Sequence, residues 1–139
     1  MKLAFSTLKK IIPELNERII TPKRILEIFR QRGIDFFELN IEDDGAFVTS
    51  DGRSFVFLKS ILQQLVYHET LLHEGGHALI HYPADFLERK HQLEAEVFSL
   101  VGMMPLKDLP RLNRIKHQLD AESYELLKRR NKANSIWGL

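Results

Sequence analysis

Over residues 60–82 the apolar side chains Ile61, Leu62, Leu65, Val66, Leu72, Leu79 and Ile80 recur mostly at steps of three and four, the spacing of a helix with one buried face. Ser60 with Gln63 three residues later has the form of a capping box, and Pro83 forbids continuation past Tyr82, so the pattern predicts one long helix there. The first third also reads as helical. A segment over 7–18 is broken or started at Pro13, and Thr21-Pro22 opens a second helix that Gly33 closes. The pattern then changes to short runs rich in aromatic and β-branched residues, 34–40, 46–49 and 54–58, separated by Asp44-Gly45 and Asp51-Gly52 turns. These runs predict a small antiparallel sheet ahead of the long helix. Downstream, Asp85 with Glu88 repeats the capping-box pattern and opens a helix carrying Leu87, Leu93, Val97, Phe98 and Leu100 before Gly102. Residues 109–131 are helical in composition, with a break near Asp120. The fold class that follows is α+β, a small antiparallel sheet packed against a helical core.

Composition narrows the chemistry. The 139 residues carry no repeat, low-complexity tract or linker and are expected to form one domain, 1–139. Cysteine is absent, which excludes both disulfides and a thiolate metal site. Lys9 and Lys10 interrupt the N-terminus before an apolar signal segment can form, and no run approaches 18 apolar residues, so a soluble cytoplasmic protein is expected. The net charge of +1 is unevenly spread: residues 1–30 hold 7 Lys/Arg against 3 Asp/Glu, residues 31–106 hold 5 against 12, and residues 107–139 hold 8 against 4. An acidic middle between basic ends suits attraction of a cation. The basic ends read as solvated helix faces, not as a nucleic-acid surface.

The acidic middle contains His73-Glu74-Gly75-Gly76-His77 within the predicted long helix. Residues four apart share a helical face with Cβ atoms about 5–6 Å apart, near enough for two imidazoles to reach one ion at about 2.0–2.1 Å. Glu74 projects beside that face, where a general base can hold a water. Two consecutive glycines each cost a helix about 1 kcal/mol relative to alanine, which argues for close approach of a neighbouring backbone or a substrate.

A catalytic zinc site needs a third protein ligand and an open position. Asp85, Glu88, His91, Glu94, Glu96 and His81 are the candidates. His81 lies eight residues beyond His73, about 12 Å along the axis, too far for His73, His77 and His81 to share one ion on an unbroken helix; hydrogen bonding near the helix end, or packing, is its expected role. His68, His91 and His117 are expected to be exposed or capping residues, and Phe98, Met103 and Met104 core. Glu94 and Glu96 sit on the next helix, which can return alongside the first.

The run His73-Glu-Gly-Gly-His77-Ala-Leu-Ile-His81, then Glu94-Ala-Glu-Val-Phe98 and Met103-Met104-Pro105, resembles the ImmA/IrrE family of metallopeptidases over residues 45–105, leaving 106–139 as a helical extension. The resemblance implies a zincin-like core, with Zn²⁺ held by His73, His77 and a glutamate of the second helix. Glu94 is the match, Glu96 the next choice. Members often carry Glu-x-Glu-Ala at the start of that helix, whereas this chain has Gln92 at the outer position, and as a poorer donor than a carboxylate a glutamine ligand there would make a degraded site. The implied activity is a regulatory zinc endopeptidase with Glu74 as catalytic base. Its implied protein substrate is a helix-turn-helix transcriptional regulator or antitoxin, with an extended segment laid on a sheet edge formed by residues 54–58. The competing expectation is a partner-binding protein that retains the fold without the activity. Two His and one carboxylate also suit Fe(II), although a Glu directly after the first His favours hydrolysis.

Overall fold

The structure, a computed structural model, describes residues 1–81 and 87–139. Helix α1 (Lys2–Ile11) buries Phe5 and Leu8 and stops short of Pro13, with Ile12 extended at φ −125° and ψ 84°. The helix expected over 7–18 is therefore earlier and shorter, because Pro13 restricts the residue before it. Helix α2 (Pro22–Gln31) begins as the sequence predicts. Thr21 accepts a hydrogen bond from the Arg24 N–H at 3.1 Å, Pro22 occupies the first turn, and Gly33 follows the end at φ +70°. Its buried face is Ile25, Ile28 and Phe29.

Three strands follow: β1 (Ile34–Leu39), β2 (Gly45–Ser50) and β3 (Arg53–Lys59). Asp51 and Gly52, both with positive φ, make the tight turn between β2 and β3, which pair antiparallel from Ser50↔Arg53 to Gly45↔Leu58. The sheet as a whole is mixed, however, in the order β1-β3-β2, with β1 parallel to β3 from Ile34↔Ser54 to Leu39↔Lys59. Two expectations are thereby corrected. The sheet is not purely antiparallel, and residues 54–58 form its central strand, not an edge. The physical reason lies in β3 itself: Ser54, Val56 and Leu58 are buried, and the strand with the most to bury takes the position where both backbone edges are paired.

Helix α3 (Gln64–Ile80) starts later than the pattern suggests, with Gln63 at its N-cap and no side-chain cap bond. The Ser60–Gln63 box does not form: the Ser60 N–H is spent on the Leu39 carbonyl at 2.9 Å, and Ile61 is 88% exposed. Tyr82, Pro83 and Asp85, to which the helix stop and the second capping box were assigned, lie outside the described residues. Helix α4 (Arg89–Met103) instead uses Glu88 as N-cap, paired with His91 in a reciprocal box. It runs back against α3, and it passes through Gly102. After 3₁₀ turns and a short α5 (Leu109–Arg114), Asp120 caps α6 (Ala121–Trp137) by accepting the Ser123 N–H at 2.7 Å.

The fold is α+β, with six α-helices and the three-stranded sheet among the described residues. No described helix is long and apolar enough to cross a membrane. The core runs between the inner sheet face and α1–α4, with Leu8, Phe29, Val56, Leu72 and Phe98 at its centre. Close packing explains the paired glycines of α3. A Cβ on Gly75 would stand 2.9 Å from the Phe29 ring on α2, and one on Gly76 would stand 3.0 Å from Phe98 and 3.3 Å from the Ala95 Cα on α4. Both glycines therefore serve helix packing, which is what their cost in helix propensity secures.

Candidate metal centre

Two elements meet over the middle of α3. On one side α4 antiparallel to it brings Gln92, Glu94 and Ala95 close. On the other, β2 lies so near that a Cβ on Gly45 would fall 2.7 Å from Thr70 Cγ2 and 3.1 Å from Glu74 Cγ. Phe47 of β2 stacks on the His77 ring, centroids 6.2 Å apart and 10° from parallel.

His73 and His77 project from successive turns of α3 towards α4, and the two rings stand edge to face with centroids 5.0 Å apart. Nε2 of each lies 3.1 Å from the same atom, Oε1 of Gln92. Bonds of about 2.0–2.1 Å in a tetrahedral site place neighbouring donors about 3.4 Å apart, and each Nε2 stands near that distance from the Gln92 oxygen. The residues present thus fit a metal. Burial pushes the pKa of His77 down to about 4, and a neutral imidazole is the form a metal requires.

Glu74 sits beside this group under β2. Burial raises its carboxyl to about 7. An open cleft of about 430 Å³ reaches both His73 and Glu74, lined also by Asp44, Gly45, Val66 and Thr70. A carboxylate that titrates near neutrality at the floor of an open cleft is suited to exchange protons with a bound water.

Glu94 is placed elsewhere. It is buried, with Oε1 3.1 Å from His81 Nε2. Among the described residues its ligand atom gathers within 4.8 Å of those of His81 and His91, not with those of His73 and His77. Two residues apart on a helix is about 200° of rotation, so Gln92 and Glu94 meet different parts of α3. Glu96 leaves the site altogether and faces Arg129 of α6, 3.4 Å away. Gln92, and not Glu94 or Glu96, is thus the α4 side chain that reaches both His73 and His77. Sequence reasoning read Gln92 as a defect; its place one turn before Ala95, the residue that meets Gly76, is the signal that would have found it.

The side chains that do gather within 4.8 Å are His81, His91 and Glu94. As expected, His81 hydrogen-bonds at the helix end, where it is the C-cap, and His91 caps α4. That second role weakens the trio as an ion site. The Glu88 N–H donates to His91 Nδ1 at 3.2 Å, so the neutral ring carries its proton on Nε2 and has no free lone pair. The remaining contact joins the two groups: His77 Nδ1 lies 2.9 Å from His81 Nδ1.

Comparison with protein-family models, with curated proteins and with solved structures finds no match.

Proposed function

We propose that the chain is a metal-dependent peptidase, with His73 and His77 as zinc ligands, the Gln92 amide oxygen beside them, and Glu74 as general base. The observation that carries this reading is the convergence of two Nε2 atoms at 3.1 Å on one oxygen, next to a carboxyl raised to about 7 at the floor of an open cleft. Zinc bound there supplies Lewis acidity for a peptide carbonyl and an acidified water near neutral pH. Glu74 accepts the proton of the attacking water and returns it to the leaving nitrogen. The edge strand β2, pinned above Glu74 by Gly45, offers an extended substrate segment its unshared backbone edge. The zincin-like and ImmA/IrrE assignment, with a helix-turn-helix regulator or antitoxin as substrate, belongs to this proposal on the strength of the residue pattern.

A second reading rests on Gln92. An amide oxygen brings no charge to the donor set, and weaker metal binding favours a regulator that docks a partner without cleaving it. Zinc content of the purified, untagged chain, together with Glu74→Gln, tests both. An enzyme binds about one zinc per chain, loses zinc with His73→Ala, and loses peptide cleavage but not zinc with Glu74→Gln. A chain that takes up no zinc when it is offered overturns the hydrolase reading.

A further inference from the structure

The cleft over His73 and Glu74 does not end at those residues. Val66 and Glu69 line it, and the same two residues line a second opening of about 410 Å³ between α3 and α6. Leu65, Val66 and the buried Leu126 give that opening an apolar floor, and the Glu69–Arg129 ion pair joins its two helices. Its rim is acidic. Glu122 and Glu125, both exposed in the first turns of α6, stand there. Among the described residues neither takes part in an ion pair. Arg129, the base in the lining, is spent on Glu69 and Glu96.

Helical spacing accounts for the continuity. Residues 66, 69, 70 and 73 share one face of α3, and residues 122, 125 and 126 share one face of α6. The two openings therefore follow a single stripe of α3 from Val66 to Glu74. Eight residues of helix span about 12 Å, the length of roughly three to four residues of extended chain. Strand β2 runs along α3 in the same sense, with Gly45 over Thr70 and Glu74 and Phe47 against His77. A segment laid on the β2 edge and continued past Gly45 is thereby led towards α6.

We propose that the groove between α3 and α6 binds a large aliphatic side chain flanked by lysine or arginine, carried roughly three to four residues from the bond over Glu74 on the same polypeptide segment. The inference rests on the peptidase reading and names what its substrate carries. Two observations select this occupant. The groove is continuous with the cleft, and its uncompensated charge is negative over an apolar floor, so a basic and aliphatic sequence satisfies both. An acidic segment is repelled by the rim, and a purely polar one leaves the floor wet. Helix α6, outside the region of family resemblance, thus takes a share in selectivity.

Fluorescence anisotropy of short labelled peptides tests the groove on the full chain carrying Glu74→Gln, with zinc present and absent. The probes share an alanine, serine and glutamine background and carry Lys-Leu-Lys, Glu-Leu-Glu or Lys-Ala-Lys. The first is expected to bind about tenfold more tightly than either of the others at low salt, and its advantage over the acidic peptide should shrink as salt is added. Glu122→Gln with Glu125→Gln should erase that advantage, and Glu122→Lys with Glu125→Lys should reverse it, with zinc content unchanged in both. Equal affinities for the three peptides, or an order that the double variants leave as it was, overturns the proposal. So does a native chain that dimerises in sedimentation where the lysine variant does not, since a second copy then fills the groove. Cleavage of the Lys-Leu-Lys peptide by the native chain is expected roughly three to four residues from the leucine, and cleavage beside the leucine overturns the register. A chain that binds the peptides in the expected order but takes up no zinc supports the groove and overturns the peptidase reading alone.

Discussion

Two buried polar groups in this molecule look alike by exposure and differ in kind. Arg130 on α6 is fully buried, and its guanidinium donates to the Met104 carbonyl at 2.6 Å, the Leu139 backbone oxygen at 2.8 Å and Asn16 Oδ1 at 3.1 Å. Burial lowers its pKa to about 10, so it remains a cation at neutral pH. Every bond it makes is fixed by its own chemistry, since arginine only donates and those oxygens only accept. The chain His77–His81–Glu94 is as deeply buried, but each imidazole can donate or accept, and the arrangement depends on what lies at either end. The first network has one solution and ties together three segments distant in sequence. The second has two, because either imidazole nitrogen can donate or accept.

The strongest way to break the comparison is Arg130→Met. Removing the guanidinium takes the donor from the Met104 carbonyl and leaves Asn16 Oδ1 and the Leu139 oxygen with only their bonds from the Leu106 N–H and Asn134 Nδ2, and a loss of about 1–3 kcal/mol is expected in urea unfolding. A variant as stable as the native chain would show that Arg130 is not a structural clamp. Gly76→Ala tests the seam that brings α4 to the histidines. The new methyl must displace Phe98 or the Ala95 backbone, and the overpacking outweighs the gain in helix propensity by about 1–2 kcal/mol, read as a lower midpoint in thermal unfolding.

Much of this contrast was already legible in the chain, and some of it was not. Thr21-Pro22, Gly33, the Asp51-Gly52 turn and the break at Asp120 are local signals, and each appears where the sequence puts it. The parallel pairing of β1 with β3 was not legible, because it depends on which strand wins the centre of the sheet and no local residue encodes that. Among the site residues, the α3 pair follows from i,i+4 spacing, whereas the partner on α4 depends on the rotation of one helix about its axis against another. That rotation is set by Gly76 against Ala95 and Phe98, so it placed Gln92 at the histidines and turned Glu94 to His81. Tertiary packing, not ligand chemistry, made that selection.

Smaller effects sharpen the functional side. Glu74 titrates at about 7 in the fold against an ordinary value of 4.5. Between those values the native metal-free protein keeps a proton that the unfolded chain has released, so stability falls as pH rises through that window. Glu74→Gln removes this slope. Allowing for partial solvent access, it should stabilise the metal-free chain by about 1 kcal/mol at pH 8 and change little at pH 4. Equal effects at the two pH values in urea titrations would contradict the raised carboxyl. Least of all should Arg129→Ala matter. Its contacts with Glu69 on α3 and Glu96 on α4 are partly exposed, and a loss of about 0.2–1 kcal/mol is expected, reduced further when unfolding is repeated at high salt.

The two-residue turn at Asp51-Gly52 determines more than the end of a hairpin. Because side chains alternate along a strand, the register it imposes decides that Phe47 faces His77 and that the residue without a side chain, Gly45, is the one lying over Glu74. One inserted residue at that turn, far from the histidines in the chain, would turn Phe47 to the opposite face and bring a bulkier neighbour over Glu74. A distant hairpin thus acts as a gauge for the cleft over His73 and Glu74, and length variation there would reshape it without altering either residue.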